Sequence, residues 1–134
     1  MPFAEWMSRL EVGVQVMDEQ HQGLFAIINR LWDAFQEEDE QGLKAVLGAL
    51  IDYAETHFQV EEDLMARTSY GDRERHLALH AEFRAKVREL EWRREVAPHS
   101  VGLQLLEFLR DWLVHHIGQE DRKLGAFLVS RGNP

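Results

Sequence analysis

The sequence predicts an all-α protein, an up-down-up-down antiparallel four-helix bundle with an N-terminal arm. Three observations carry that expectation. Four segments, each roughly 20 residues long, repeat apolar side chains every three or four positions, as one face of an α-helix does. No segment alternates apolar and polar residues in the manner of a half-buried strand. The connections between segments are short, which makes successive helices antiparallel neighbours.

The first dozen residues, with Trp6 and Val12-Gly13-Val14, read as an arm packed on the bundle. In the first helical segment His21, Phe25, Ile28, Trp32 and Phe35 form one stripe, and the acidic run Glu37-Glu38-Asp39-Glu40 closes it in a solvated turn. The second stripe is Leu43, Val46, Leu50, Tyr53, His57, Glu61 and Leu64. It stops before Thr68-Ser69-Tyr70-Gly71-Asp72, a cluster of turn and N-cap residues. His76, His80, Phe83, Val87 and Leu90 mark the third segment. After a linker from Arg93 to His99 that contains Pro98, Ser100 is the expected N-cap of the fourth, whose stripe is Val101, Leu105, Leu109, Trp112 and His116.

A chain of 134 residues is expected to form one domain, residues 1–134, around one core. With 45% hydrophobic and 29% charged residues its composition is that of an ordinary globular protein. A net charge of −9 argues against nucleic acid as a partner, because phosphate binding needs a basic face. The absence of cysteine excludes disulfides, iron–sulfur clusters, thiolate zinc and thiol nucleophiles. No apolar run is long enough for a membrane span and the N-terminus carries no signal-like apolar region, so a soluble, cytoplasmic monomer without membrane insertion is expected.

The chemistry lies inside the stripes. Five of the seven histidines, His21, His57, His76, His80 and His116, turn toward one interior line, joined by Glu61 and Asp121. His57–Glu61 and His76–His80 are i, i+4 pairs, each on one helix face. Taken singly, each signal has a plainer reading: a lone histidine on an apolar face is commonly a hydrogen-bonded core residue, and Glu61-Glu62-Asp63 alone reads as a charged surface. Together they are too many polar groups to bury unless something binds them, and a pair of metal ions does so most economically. His99, in the linker, and His115, off the stripe, are read as solvent residues.

Coordination counting narrows the metal. Zinc prefers four ligands, and its closed structural sites usually recruit cysteine. Five imidazoles and two bridging carboxylates divide over two ions: with a bridging hydroxide, the ion with three histidines is six-coordinate and full, and the ion with two is five-coordinate with one open position. Imidazole and carboxylate in six-fold geometry suit iron, with manganese and cobalt the weaker matches. One open position on one of two irons suits end-on binding of a diatomic molecule.

The motifs Asp18-Glu19-Gln20-His21, His57-Phe58-Gln59-Val60-Glu61-Glu62-Asp63-Leu64-Met65, His76 and His80 with Phe83, and Trp112-Leu113-Val114-His115-His116-Ile117 with Asp121 resemble the hemerythrins, in particular the bacterial hemerythrins. The likeness covers nearly the whole chain, and all seven ligand positions carry the expected residue type. Myohemerythrin is itself a familiar four-helix bundle, so the fold expectation rests partly on that analogy. The resemblance implies two iron ions per chain (Fe2+/Fe3+) with an oxo or hydroxo bridge. It implies that His76, His80 and His116 hold the six-coordinate iron, His21 and His57 the open one, with Glu61 and Asp121 bridging. It further implies an O2 pocket lined by Leu24, Phe58, Trp112, Leu113 and Ile117. One geometric question stays open: His116 and Asp121, five apart, stand about 140° apart on an ideal helix. They can serve one cluster only if the carboxylate reaches round or the helix deforms, and Gly118 is the expected place for that.

Reversible O2 binding, for storage or for delivery to an oxygen-consuming enzyme, is the expected function. The rival class, a di-iron oxidase, peroxidase or ferroxidase, typically uses carboxylate-rich sites with Glu-x-x-His pairs. This sequence contains none, so a non-enzymatic carrier is expected. A sensor of O2, redox state or iron that acts through a partner is the other reading; no signalling domain or long linker is attached within the chain, which favours the carrier.

Overall fold

The computed structural model describes residues 2–97 and 102–132. Expectations for Pro98, His99, Ser100 and Val101 lie outside the described residues. Helix α1 spans Gln15–Gln36, α2 Glu40–Thr68, α3 Arg73–Val96, α4 Gly102–His116 and α5 Arg122–Ser130. A single π-turn, Ile117–Asp121, joins α4 to α5, so that these three pieces form the fourth rod of the bundle. No strand occurs among the described residues. α1 packs on α2 and α4, and α3 packs on the same two helices, as in an up-down-up-down four-helix bundle.

Local chemistry sets the ends of the helices. Asp39 accepts a hydrogen bond from the Gly42 backbone N–H at 2.9 Å and so caps α2, placing Glu40 inside the helix and confining the acidic turn to residues 37–39. α2 ends at Ser69 in the left-handed conformation, φ 55°. Asp72 occupies the N-cap position of α3 without a side-chain cap bond; its backbone carbonyl accepts from His76 at 3.0 Å. At the opposite end of the bundle the largely buried Arg94 donates to Glu40 at 2.9 Å, tying the end of α3 to the start of α2.

The stripes point inward as expected. Phe25, Ile28, Leu43, Leu50, Phe83, Val87, Leu90, Leu105 and Leu109 are buried, with Trp32, Phe35, Val46, Tyr53 and Leu64 packed against them at the margin. Leu124 and Leu128 carry the apolar face beyond His116 into α5, an extension the fourth stripe did not include.

The N-terminal arm is part of the same core. Ala4, Leu10, Val12 and Val14 are buried, Phe3 stacks on Trp32 with centroids 4.5 Å apart, and Trp6 meets Phe25 edge-on at 5.4 Å. Asn29 clasps the arm by accepting from Ala4 N–H at 2.7 Å and donating to the Ala4 carbonyl at 2.9 Å. Asp18, in the first turn of α1, accepts from the backbone N–H groups of Val12 and Gly13, and Gly13 supplies the left-handed φ of 88° that the bend requires. The arm's backbone runs so close to α5 that a Cβ at Gly125 would collide with the Val12 carbonyl oxygen. No helix among the described residues is long and apolar enough to cross a membrane.

Candidate metal centre

All seven polar side chains picked from the stripes meet in the bundle interior, each no more than 3% exposed. α1 contributes His21, α2 contributes His57 and Glu61 one turn apart, α3 contributes His76 and His80 one turn apart, and the fourth rod contributes His116 and Asp121. The π-turn resolves the question of the last pair. An i→i+5 turn widens the helix by one residue and brings side chains five apart onto nearly one line. His116 Nε2 thereby stands 3.1 Å from Asp121 Oδ1. Gly118 lies within the turn, as anticipated.

The side chains sort into two groups that share both carboxylates: Glu61, His76, His80, His116 and Asp121, and His21, His57, Glu61 and Asp121, with the donor atoms of each group within 4.8 Å of one another. Glu61 Oε1 lies 3.1 Å from His76 Nε2 and 3.1 Å from His80 Nε2, whereas Oε2 lies 3.2 Å from His21 Nε2 and 2.6 Å from His57 Nε2. Asp121 divides in the same way. Its Oδ1 faces His76 and His116, both at 3.1 Å, and its Oδ2 faces His21 at 3.0 Å. Each carboxylate therefore turns one oxygen to each group.

This donor set fits a bound metal. Ligands on opposite sides of an ion with bonds of about 2.0–2.2 Å lie a little over 4 Å apart, the spread seen within each group. His116 Nε2 and Asp121 Oδ1 are buried 3.1 Å apart without a well-formed hydrogen bond, as two ligand atoms that could share an ion would be. Imidazole nitrogens and carboxylate oxygens without a thiolate suit iron, manganese, cobalt or zinc.

The electrostatics describe the same balance. Burial opposes the charged form of His21 and His76, but the Asp121 and Glu61 carboxylates outweigh it and raise His21 to about 9 and His76 to about 10. Burial pushes Glu61 up, and the facing imidazoles of His57, His21 and His76 hold it well below its ordinary value. Burial and the Glu61 charge likewise push Asp121 up, and His116 and His21 more than reverse that. A cluster holding this much paired charge in the core suits a cation that can replace protons.

Two further residues fix ring orientation. His57 Nδ1 lies 2.6 Å from Gln20 Oε1 and His80 Nδ1 lies 2.8 Å from Glu62 Oε2. Since both partners accept, each ring carries its proton on Nδ1 and turns the Nε2 lone pair to the cluster. Arg84 completes the set, donating to Glu62 at 3.3 Å and to both oxygens of Glu55 at 2.8 and 3.0 Å. The plainer reading of Glu61-Glu62-Asp63 as a charged surface, set aside in favour of Glu61 as a ligand, describes only Asp63, which is exposed and pairs with Arg67. Glu61 is fully buried, and Glu62 is 24% exposed against His80.

The residues expected around a diatomic ligand are in the core. Leu24, Phe58, Leu113 and Ile117 are buried. Phe58 stacks on His80, centroids 3.9 Å apart, and lies 6.1 Å from His57. Trp112 stacks on His116 at 4.4 Å, but it is only half-buried and also floors a surface groove beside Glu82, Lys86 and Phe108. His115 is exposed, as expected.

A four-helix bundle in which all four rods supply histidines or carboxylates to two groups with shared carboxylates has the architecture by which bundle proteins can hold metal ions. The comparisons name the family. A family model, the hemerythrin HHE cation binding domain, matches residues 12–128. The chain is 35% identical over 116 residues to a bacteriohemerythrin of Pseudomonas aeruginosa, covering 87% of this chain and 75% of that protein. It is 33% identical to a hemerythrin-like protein of Naegleria gruberi, covering 95% and 94%. A crystal structure of wild-type hemerythrin superposes with a TM-score of 0.85 at 30% identity, covering 92% of this chain and 96% of that one. The chain belongs to the hemerythrin family.

Proposed function

We propose that this protein binds O2 reversibly at a non-haem di-iron centre, with His76, His80 and His116 on one iron, His21 and His57 on the other, and Glu61 and Asp121 bridging. The observation that carries this reading is the division of the two carboxylates, each with one oxygen toward each histidine group. With two iron ions bound, the unequal count of histidines would leave an open position beside His21 and His57. When bound, the two ferrous ions supply the two electrons that O2 takes up on binding and returns on release. Gln20 and Glu62 hold the His57 and His80 rings as Nε2 donors. Leu24, Phe58, Trp112, Leu113 and Ile117 exclude water from the open position and so oppose the protonation that would end reversibility.

The reading makes the protein a store of O2 or a donor to an oxygen-consuming enzyme rather than a catalyst. Its ligand set supports this, since neutral imidazoles favour high-valent iron less than carboxylates do. The test is an absorption spectrum of the reduced protein before and after air. A new charge-transfer band that disappears on deoxygenation is expected; irreversible bleaching to a ferric spectrum, with turnover of a co-substrate, would establish an enzyme instead.

A further inference from the structure

A pocket of about 120 Å³ opens between α2 and α3 on the side of the bundle. Its inner wall is Ile51, Ala54, Phe83 and Val87, and its floor is the ring of Phe58, itself 1% exposed. The same ring stacks on His80 with centroids 3.9 Å apart and lies 6.1 Å from the ring of His57. Phe58 is therefore a single aromatic partition between an apolar pocket reached from solvent and the ring of a candidate metal ligand. Arg84 crosses the mouth. It is fastened to both oxygens of Glu55, and its guanidinium carbon lies 5.2 Å over the Phe58 ring.

We propose that this pocket is the port by which small apolar molecules pass between solvent and the metal centre, with Phe58 as the moving partition and Arg84 as its latch. The ligand's identity as O2 rests on the function proposed above; the pocket's selectivity does not. The pocket is charged where Glu55, Arg84, Arg88 and Glu91 line it and apolar along Ile51, Ala54, Phe83 and Val87, and the apolar part suits a small unpolar molecule better than it suits water. Of the charged side chains that line it, Arg84 and Glu55 are paired with each other. The groove floored by Trp112 also leads toward a ligand; both aromatic rings stack on a histidine of the larger group, but Phe58 also lies 6.1 Å from the His57 ring of the smaller group, whereas the stacking partner of Trp112 is His116.

The test plugs each route in turn. Val87→Phe fills the pocket from α3, and Ala54→Leu does so from α2 should the first variant not fold; Ala85→Phe obstructs the Trp112 groove. Xenon is first bound under pressure to crystals of the wild type and of each variant. It is expected in the α2–α3 pocket of wild type and Ala85→Phe, and absent from that pocket in Val87→Phe or Ala54→Leu. O2 association and dissociation are then followed on the reduced protein. The plugs are expected to slow both rates about tenfold with affinity nearly unchanged, since a port changes the barrier and not the end states. Unchanged rates in the plugged proteins, slowing by Ala85→Phe instead, or no xenon in the wild-type pocket overturns the port. If no O2 binds to wild type, the proposed function fails separately, and the port then stands or falls on the xenon result.

Discussion

His116 and Asp121 are five residues apart in the chain and 3.1 Å apart in space, because the helix between them widens by one residue into a π-turn. This device lets one rod present two donors to a centre that α2 and α3 reach with regular i, i+4 spacing and α1 with the single donor His21. It also gives Asp121 the reach to face His76 on α3 and His21 on α1. Asp121 and Glu61 thus connect all four rods, which fixes the rank of the site residues in the predictions that follow.

Loss of a shared carboxylate should cost more metal than loss of a peripheral histidine. Glu61 faces the Nε2 atoms of His21, His57, His76 and His80, whereas His21 turns its one Nε2 to the two carboxylates. Wild type is expected to hold two irons per chain. Glu61→Ala should release iron to a chelator at least about tenfold more readily than His21→Ala. Elemental analysis after a common chelator challenge measures this, and equal retention by the two variants contradicts the shared role.

The metal-free protein should lose stability toward alkaline pH while the metal-loaded protein does not. His21 and His76 are raised from 6.5 to about 9 and about 10, so the stability they contribute is complete below 6.5 and lost as pH rises through 9 and 10. Glu61 and Asp121 are depressed from 4.5 and 3.8, so their contribution is present above those values and lost as pH falls through the lowered ones. The apo midpoint is therefore expected to be highest between about 4.5 and 6.5 and to fall from there to pH 10. Iron requires deprotonated ligands, so the gain in midpoint on loading should widen over the same alkaline range. Thermal melts of both forms across pH check the two slopes; an apo midpoint that climbs from pH 6.5 to 10 refutes the assignment.

The extent to which this site was legible in the sequence follows from what periodicity records. The 3–4 spacing places His21, His57, Glu61, His76, His80 and His116 inward, because each lies in register with neighbouring apolar residues on its own helix. Asp121 broke that register, and the sequence indicated that something had to deform without showing that a π-turn would do it. Gln20 and Glu62 were hidden for a different reason. Each sits one residue from a stripe position, where spacing alone reads as surface, and its role depends on a histidine of another helix. The arm's anchors were equally out of reach, since Asp18 and Asn29 act through backbone groups that periodicity does not see.

Glu62 should act on the metal through His80. Its carboxylate fixes the Nδ1 proton and strengthens the ring as a donor. Glu62→Ala is expected to weaken iron binding by about 10- to 100-fold with helix content unchanged, and Glu62→Gln, which keeps an acceptor, to recover part of the loss. Competition with a chelator gives the affinities. A wild-type affinity in Glu62→Ala would reduce the residue to one partner in the Arg84–Glu55 surface pairing.

Ile117 tests where the open position lies. It follows His116, opens the π-turn and is fully buried, and the proposed function puts its side chain on the apolar wall beside the centre. Ile117→Glu would bring a carboxylate to that wall, able to occupy an open position or to draw in water and a proton. The variant is expected to keep two irons, to remain folded, and to lose reversible oxygenation. Leu113→Ala, which adds space and no polar group, should still bind O2 but oxidise irreversibly several-fold faster, since water enters the enlarged wall. Were Ile117 an ordinary core residue remote from the open position, the buried charge would instead lower stability or iron content with oxygenation intact in whatever protein remained. Iron analysis, a thermal melt and the spectrum in air, taken together, separate these outcomes. An Ile117→Glu protein with full iron and an oxygenated state as long-lived as wild type would place the pocket elsewhere in the bundle.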